Sequence, residues 1–192
     1  MTALASPKVA DYHYTMAERE VRYKMGAAQA VSAETFGRPG RRTFRLVAEA
    51  GRAQSYIWLE KEQLLQLGLY LQQAVKQLGE SAQGQTSTPS EAPWSGDPLE
   101  QDFHARQMQL QYDQDANCFV LHAFEGDEDD PDAGAQTSVS FWMTMAQCSN
   151  LADEALRICA SGRPPCFLCG SPIDPDGHQC ARANGHAVFE TG

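Results

Sequence analysis

The sequence predicts an α+β fold, in which an antiparallel sheet is packed by two helices and a zinc knuckle follows at the C-terminus. Three observations support this: segments of alternating polarity, two segments of helical period, and a cysteine cluster near the end of the chain. The 192 residues are 42% hydrophobic, which suits one domain with a real core and an appendage. We expect an N-terminal tail at 1–25, an α+β domain at 26–162 and a zinc-binding extension at 163–192.

Alternation of apolar and polar residues predicts strands in both halves of the domain. Phe44, Leu46 and Ala48 alternate with polar neighbours, as expected of a half-buried strand. The turn at 37–40 contains Gly and Pro, which favour tight reversals. The predicted strands are 27–36, 43–49 and 56–58 in the first half, and 106–112, 117–124 and 137–143 in the second.

Two segments carry apolar residues at helical spacing. The first runs from Leu59 to Leu78 and ends at Gly79, and the second covers about 145–160. Gly162 and the two prolines after it form a stop signal for the second helix. Residues 79–98 are rich in Gly, Ser, Thr and Pro, which predicts a flexible loop inside the domain.

The two halves resemble each other when their tryptophans are aligned. Placing Trp58 over Trp142 also places Gln63 over Gln147. Each half then reads as strands, a strand ending in Trp, and a helix. This predicts a ββα pseudo-repeat around one shared sheet, with chance similarity between two amphipathic helices as the alternative.

Charge and hydropathy restrict the partners of the chain. The formal net charge is −10 and the pI is about 4.9, so most of the surface would repel nucleic-acid backbones. No apolar run is long enough for a membrane span. The first residues lack the basic start and apolar core of a signal peptide. We therefore expect a cytoplasmic protein.

A cluster of cysteines and histidines lies among turn-forming residues near the C-terminus. Cys166 and Cys169 have the two-residue spacing that lets both thiolates bind one ion. Cys180 is the third candidate ligand, and His178 or His186 would complete the shell. His178 is favoured because it is close enough in sequence to share a turn with Cys180. Thiolate-rich tetrahedral sites suit Zn²⁺, with iron as the lesser alternative.

The metal is expected to be structural. A redox Cys-x-x-Cys pair would need a helix directly after its first cysteine, and Gly170, Pro172 and Pro175 forbid one. A catalytic zinc keeps an open coordination position beside a general base. Here four candidate ligands can close the shell, so the ion would hold together a segment too short to have its own core.

Two charged segments offer other hypotheses. Arg38, Arg41, Arg42 and Arg45 bracket a turn and a strand, and they could bind a phosphate or an acidic partner. The simpler interpretation is a solvated face or pairing with acidic residues of the same chain. The acidic run 125–132 lacks the register of a calcium loop and is expected to be solvated. No motif for a catalytic residue or a cofactor-binding loop appears.

The tail has the frame Arg-Pro-x-Cys-x-x-Cys-Gly-x-Pro-x-Asp-Pro-x-Gly-His-x-Cys-x-Arg-x-Asn-Gly, which runs from Arg163 to Gly185. This frame resembles the C-terminus of the uncharacterised bacterial family catalogued as domain of unknown function 3090. The segments 40–44 and 59–63 also match that family. The chain departs from it at Phe167 and Ala181, where proline is expected, and neither is a ligand. The resemblance implies a cytosolic bacterial protein without an assigned activity, and it favours His178 over His186.

These observations favour a non-enzymatic interaction or adaptor module with structural zinc. Its partner would be another protein, and residues 182–185 beside the zinc would be a natural contact surface. The alternative is a phosphate- or nucleotide-ligand binder, or an enzyme, that uses the arginine turn at 38–45. Nucleic-acid binding through the knuckle is less favoured, because few basic residues and no aromatic row surround it.

Overall fold

Eight strands and two helices form in the part of the chain that the structure describes. In the computed structural model, the described residues are 20–38, 40–81, 85–126, 136–161, 166–169, 173, 180 and 182. The strands are β1 (Tyr23–Ala27), β2 (Ala30–Phe36), β3 (Thr43–Ala50), β4 (Ala53–Leu59), β5 (Leu99–His104), β6 (Gln107–Asp113), β7 (Cys118–Phe124) and β8 (Ser138–Thr144), and the helices are α1 (Lys61–Ser81) and α2 (Met145–Ala160).

The strands form two sheets of four strands each. The first sheet has the order β1-β8-β7-β6, and the second has the order β2-β3-β4-β5. Each sheet combines three consecutive antiparallel strands from one half with one parallel edge strand from the other half. Thus β1 pairs with β8, and β5 pairs with β4. The α+β class is confirmed, but the strands divide between two sheets where the sequence predicted one shared sheet.

Each half thus contributes its first strand, β1 or β5, to the sheet of the other half, and matching hydrogen bonds hold these two exchanged strands. The N–H of Ala28, just after β1, donates to the Trp142 carbonyl at 2.9 Å. The N–H of Ala105, just after β5, donates to the Trp58 carbonyl at the same distance. The two tryptophans aligned in the sequence therefore occupy equivalent positions, and the structure contains the predicted pseudo-repeat.

Gln63 and Gln147 bind the exchanged strands in the same way. The Nε2 of Gln63 donates to the Ala105 carbonyl at 3.3 Å, and the Nε2 of Gln147 donates to the Ala28 carbonyl at 2.8 Å. In each case Oε1 accepts the backbone N–H three residues earlier, at 2.8 Å and 2.9 Å respectively. Each glutamine therefore joins the start of its helix to a strand end that comes from the other half.

One hydrophobic core includes both sheets and both helices. Fully buried members include Leu46 and Ile57 of the second sheet, Phe141 of the first, Leu71 of α1 and Leu151 of α2. Burying a side chain of this size stabilises a fold by about 1.5–3 kcal/mol. Because the two halves share this core and exchange their first strands, neither half is expected to fold alone.

The sequence predictions differ from the structure in the edge strands. The single strand expected at 27–36 is two strands, and β1 begins inside the predicted tail. Positive φ at Gly26 (73°) interrupts the alternation, which hides β1 in the sequence. Strand β5 was not predicted, because its outward residues are charged and it follows a Pro- and Gly-rich segment. Helix α1 ends at Ser81, two residues beyond the predicted break.

The described residues 85–98 lie along β1 and connect the two sheets. The Ala27 N–H donates to the Glu91 carbonyl at 3.1 Å, and the Trp94 N–H donates to the Met25 carbonyl at 2.9 Å. The Trp94 carbonyl in turn accepts the Arg52 N–H at 3.0 Å. This segment, called the strap below, therefore gives the exposed edge of β1 backbone partners.

Candidate metal centre

The three clustered cysteines lie within reach of one ion. The Sγ atoms of Cys166, Cys169 and Cys180 are all within 4.8 Å of one another. Cys166 and Cys180 are buried, at 5% and 8% exposed, and Cys169 is half-buried. The Cys-x-x-Cys turn thus brings its two thiols to the thiol of a residue that is distant in sequence.

The sulfur spacing fits a tetrahedral metal site. The Cys166 and Cys180 Sγ atoms are 3.9 Å apart. Zinc–thiolate bonds of about 2.3 Å at tetrahedral angles place two sulfurs about 3.8 Å apart. A disulfide would need about 2.05 Å, and no two of the six cysteines, all among the described residues, form one. A soft, thiolate-rich donor set of this spacing suits Zn²⁺ among the divalent metals.

A hydrogen bond joins the two halves of the cluster. Arg182 Nη1 donates to the Leu168 carbonyl at 2.9 Å, which ties the segment after Cys180 to the Cys-x-x-Cys turn. Between the first two cysteines, the Phe167 side chain is 92% exposed and Leu168 is 38% exposed. The turn therefore presents an apolar tip to solvent while its thiols point toward each other.

The candidate fourth ligands, His178 and His186, lie outside the described residues. The choice between them therefore remains a prediction from the sequence. The described ligands contribute three sulfurs, which leaves one position of a tetrahedral shell for another donor.

The isolated cysteines are buried among apolar side chains, as the sequence predicted. Cys118 and Cys148 are fully buried, and Cys159 is 5% exposed. Burial raises the pKa of the Cys148 thiol to about 12, and nearby Cys118 adds to this shift. The Cys148 thiol is therefore neutral at physiological pH and a poor metal ligand.

The arginine turn does not converge on a cavity among those described in this structure. Arg38 and Arg41 are exposed. Arg45 is paired with Glu34, its Nη2 lying 2.7 Å from the carboxylate. Neither of the two described cavities, of about 480 and 460 Å³, is lined by an arginine of this turn. The pairing of Arg45 matches the simpler interpretation of the run, in which acidic residues of the same chain neutralise it.

Neither described helix combines the length and apolar content that crossing a bilayer requires. The fold and the cluster together define an α+β protein with a duplicated, strand-exchanged core and a candidate metal centre of three cysteines. A family model described as "Protein of unknown function (DUF3090)" matches residues 23–180, and the chain therefore belongs to this family. No curated protein and no solved structure matches the chain.

Proposed function

We propose that this protein is a non-enzymatic, cytoplasmic interaction module whose C-terminal knuckle is held by a structural Zn²⁺. The ligands are Cys166, Cys169 and Cys180, with His178 as the fourth and His186 as its alternative. The observation that carries the proposal is the convergence of three thiols, with sulfurs within 4.8 Å of one another.

The role of the ion follows from the small size of the knuckle. Below about 40 residues a chain rarely folds without disulfides, metals or a partner. Structural zinc supplies about 10–16 kcal/mol of apparent binding energy at neutral pH, which is ample for such a segment. With three thiolates and a histidine, the shell is closed, so the zinc holds the turn in place and leaves no position for a substrate.

The exposed tip of the knuckle supports the proposed protein partner. An aromatic side chain that is 92% exposed, as Phe167 is, lies between two metal ligands and is therefore fixed in direction. Aromatic residues on rigid supports are typical anchors of protein interfaces. We infer a partner with an apolar pocket that receives Phe167, with the polar Arg182 side of the knuckle at the rim.

Cobalt substitution tests the metal centre. The full chain, purified and reloaded with Co²⁺, is expected to show the intense visible bands of tetrahedral Co²⁺ together with sulfur-to-cobalt charge transfer. Addition of Zn²⁺ should bleach both. A weak, octahedral spectrum would contradict the proposed ligand set.

Substitution of the tip tests the interaction role separately from metal binding. Phe167→Ala is expected to keep one zinc per chain and to abolish capture of a specific partner by immobilised full-length protein. Tyr70→Ala, which removes a 54% exposed aromatic side chain on α1, is the matched control and should leave capture unchanged. Equal capture by all three proteins would refute the role of the knuckle in binding.

A further inference from the structure

A cavity of about 480 Å³ lies on the outer face of the first sheet, remote in sequence from the cysteine cluster. Its floor is formed by paired residues of β7 and β8: Val120 faces Trp142, and His122 faces Ser140. Cavities of this size are large enough for a small ligand or a single inserted side chain. Because the two halves are equivalent, the corresponding face of the second sheet indicates which group fits in this position.

On the second sheet, an arginine of the chain fills the equivalent place. The guanidinium of Arg45 lies 4.8 Å from the ring centre of Phe36, 4.5 Å from that of Tyr56 and 5.3 Å from that of Trp58. Glu34 completes the site with an ion pair to Arg45 at 2.7 Å. Stacking on rings and pairing with a carboxylate are the two interactions that a guanidinium makes best.

The register shows why the first sheet has a cavity there. Trp142 is equivalent to Trp58, and the residue paired with it is Val120, whereas the residue paired with Trp58 is Arg45. Two residues before each tryptophan, the first sheet has Ser140 where the second has a tyrosine. The first sheet thus keeps the tryptophan and lacks the arginine and the tyrosine ring, which leaves open space beside the indole.

The groups around this space favour a cation that carries N–H donors. Glu91 from the strap and Asp113 from the end of β6 contribute two carboxylates to the lining. One Asp113 oxygen accepts the Ala116 N–H at 2.9 Å. Lys24 is the one cationic residue among the described residues that line the cavity, so the lining as a whole carries a net negative formal charge. The chain as a whole, at −10, also attracts cations.

His122 adds a polar ring to the lining of the cavity. Its Nε2 is buried and makes no hydrogen bond with the described residues. Burial lowers the pKa of this imidazole, the charge of Lys24 lowers it further, and Glu91 opposes the shift. A neutral imidazole has one nitrogen that accepts a hydrogen bond, and leaving such a group unpaired is costly.

We propose that this cavity binds a guanidinium group, which would lie over Trp142 and beside His122 and donate to the carboxylates of Glu91 and Asp113, as Arg45 lies over Trp58 in the other half. Two sources share this chemistry: a small free guanidinium compound, such as arginine, and an arginine side chain of a peptide. The proposal does not depend on the zinc knuckle, because none of the described knuckle residues (166–169, 173, 180 and 182) lines the cavity.

Binding of methylguanidinium tests the proposal directly. The full-length, zinc-loaded protein is titrated with methylguanidinium chloride and, separately, with urea, its neutral analogue, at matched ionic strength. A dissociation constant on the order of 1 mM is expected for so small a probe. Binding is followed by chemical-shift changes in NMR spectra, which should include the Trp142 indole N–H and the His122 ring signals. Equal shifts with urea, or no shifts with methylguanidinium, would overturn the proposal.

Free arginine and the peptide Gly-Arg-Gly distinguish the two sources. Tighter binding of free arginine indicates a small-molecule ligand, and tighter binding of the peptide indicates an inserted side chain. Both results require the guanidinium, so citrulline and Gly-citrulline-Gly should fail to bind. If the citrulline compounds bind as well as the arginine compounds, the site does not recognise a guanidinium.

Single substitutions test the geometry. Trp142→Leu should weaken binding about two- to fivefold, and Trp58→Leu, the matched change in the other half, should not alter it. Glu91→Gln should weaken binding, and Lys24→Gln should strengthen it, because the lysine repels a cation. Both of these side chains are exposed, so the variants should fold. Weaker binding of methylguanidinium by Lys24→Gln would contradict the proposal, because removing a positive charge should favour a bound cation.

A filling variant provides a second, independent test. Val120→Arg places a guanidinium at the position equivalent to Arg45, so it should occupy the cavity and abolish methylguanidinium binding. Ser140→Tyr fills the same space from the neighbouring strand and should have the same effect without adding charge. Unchanged binding in a folded example of either variant would show that the probe lies elsewhere.

Discussion

Replacement of Gln147 by alanine should remove one of the two glutamine side chains that bind the exchanged strands. In the native protein, Gln147 Oε1 accepts the Thr144 N–H at 2.9 Å and closes the capping box of α2, while Nε2 donates to the Ala28 carbonyl at 2.8 Å. Thr144 remains as the N-cap, so the variant loses the Gln147 half of the capping box and the bond to Ala28, and each of these hydrogen bonds contributes about 1 kcal/mol. We therefore expect Gln147→Ala to lower the free energy of unfolding by about 2 kcal/mol.

Chemical and thermal denaturation measure this effect. For a chain of this length, 2 kcal/mol corresponds to a fall in Tm of about 4–8 °C. Gln147→Glu keeps an oxygen for the capping box but places a carboxylate oxygen against the Ala28 carbonyl, so it should cost about 1 kcal/mol or more. Gln63→Ala is the matched change in the other half, where the bonds to carbonyls are longer, at 3.3 and 3.1 Å, and it should also cost less. A loss below about 0.5 kcal/mol for Gln147→Ala would refute this account of the exchange.

Two further predictions concern the strap and a buried thiol. Gly26→Ala should destabilise the fold by about 2 kcal/mol or more, because φ is +73° and an added Cβ would lie 1.9 Å from the Ala92 carbonyl oxygen. As a control, Gly79→Ala should stabilise the fold by about 0.5–1 kcal/mol in the same denaturation assay, because an added Cβ there would have no atom within 4 Å. The Cys148 pKa of about 12 exceeds the value of 9.0 for an unshifted thiol, so the thiol keeps its proton to higher pH in the folded state than in the unfolded state. Stability should therefore fall as pH rises above 9, with a smaller fall in Cys148→Ala; an identical pH dependence in the two proteins would contradict this assignment.

The strands of the two antiparallel meanders could be predicted because each has a local signature. In β3, Phe44, Leu46 and Ala48 point toward the core while their neighbours do not, and that alternation is visible in the sequence. Both helices have an apolar stripe and a stop signal, so their existence was predictable; the bounds of α2 were also predicted, and only the ends of α1 shifted. The aligned pair Trp58 and Trp142 correctly indicated that the halves are equivalent.

The exchange of first strands could not be predicted from local pattern. Strands β1 and β5 are short edge strands that pair in parallel with strands from the opposite half. Parallel pairing between distant segments leaves no turn signal, because the strands are not joined by a hairpin. In β1, Gly26 also breaks the alternation, since it adopts positive φ and lets the strap pass within contact distance.

The two candidate sites differ in how far a sequence can reveal them. Cys166 and Cys169 are neighbours in sequence, and the spacing of metal ligands is itself a local signal. The cavity over Trp142 depends on the register that places His122 opposite Ser140 and brings Lys24 alongside from β1. Taken alone, His122 has no motif partner in the sequence, so only the assembled sheet shows that this residue lines a cavity.

Metal analysis of the purified full-length chain and its single variants tests the central claim, that the clustered cysteines form a zinc site. We predict one zinc per chain in the native protein and loss of that zinc in Cys166→Ser. The zinc should remain in Cys159→Ser, which removes a buried thiol outside the cluster. His178→Ala should also lose zinc, whereas His186→Ala should keep it. Full zinc content in Cys166→Ser would contradict the metal centre itself.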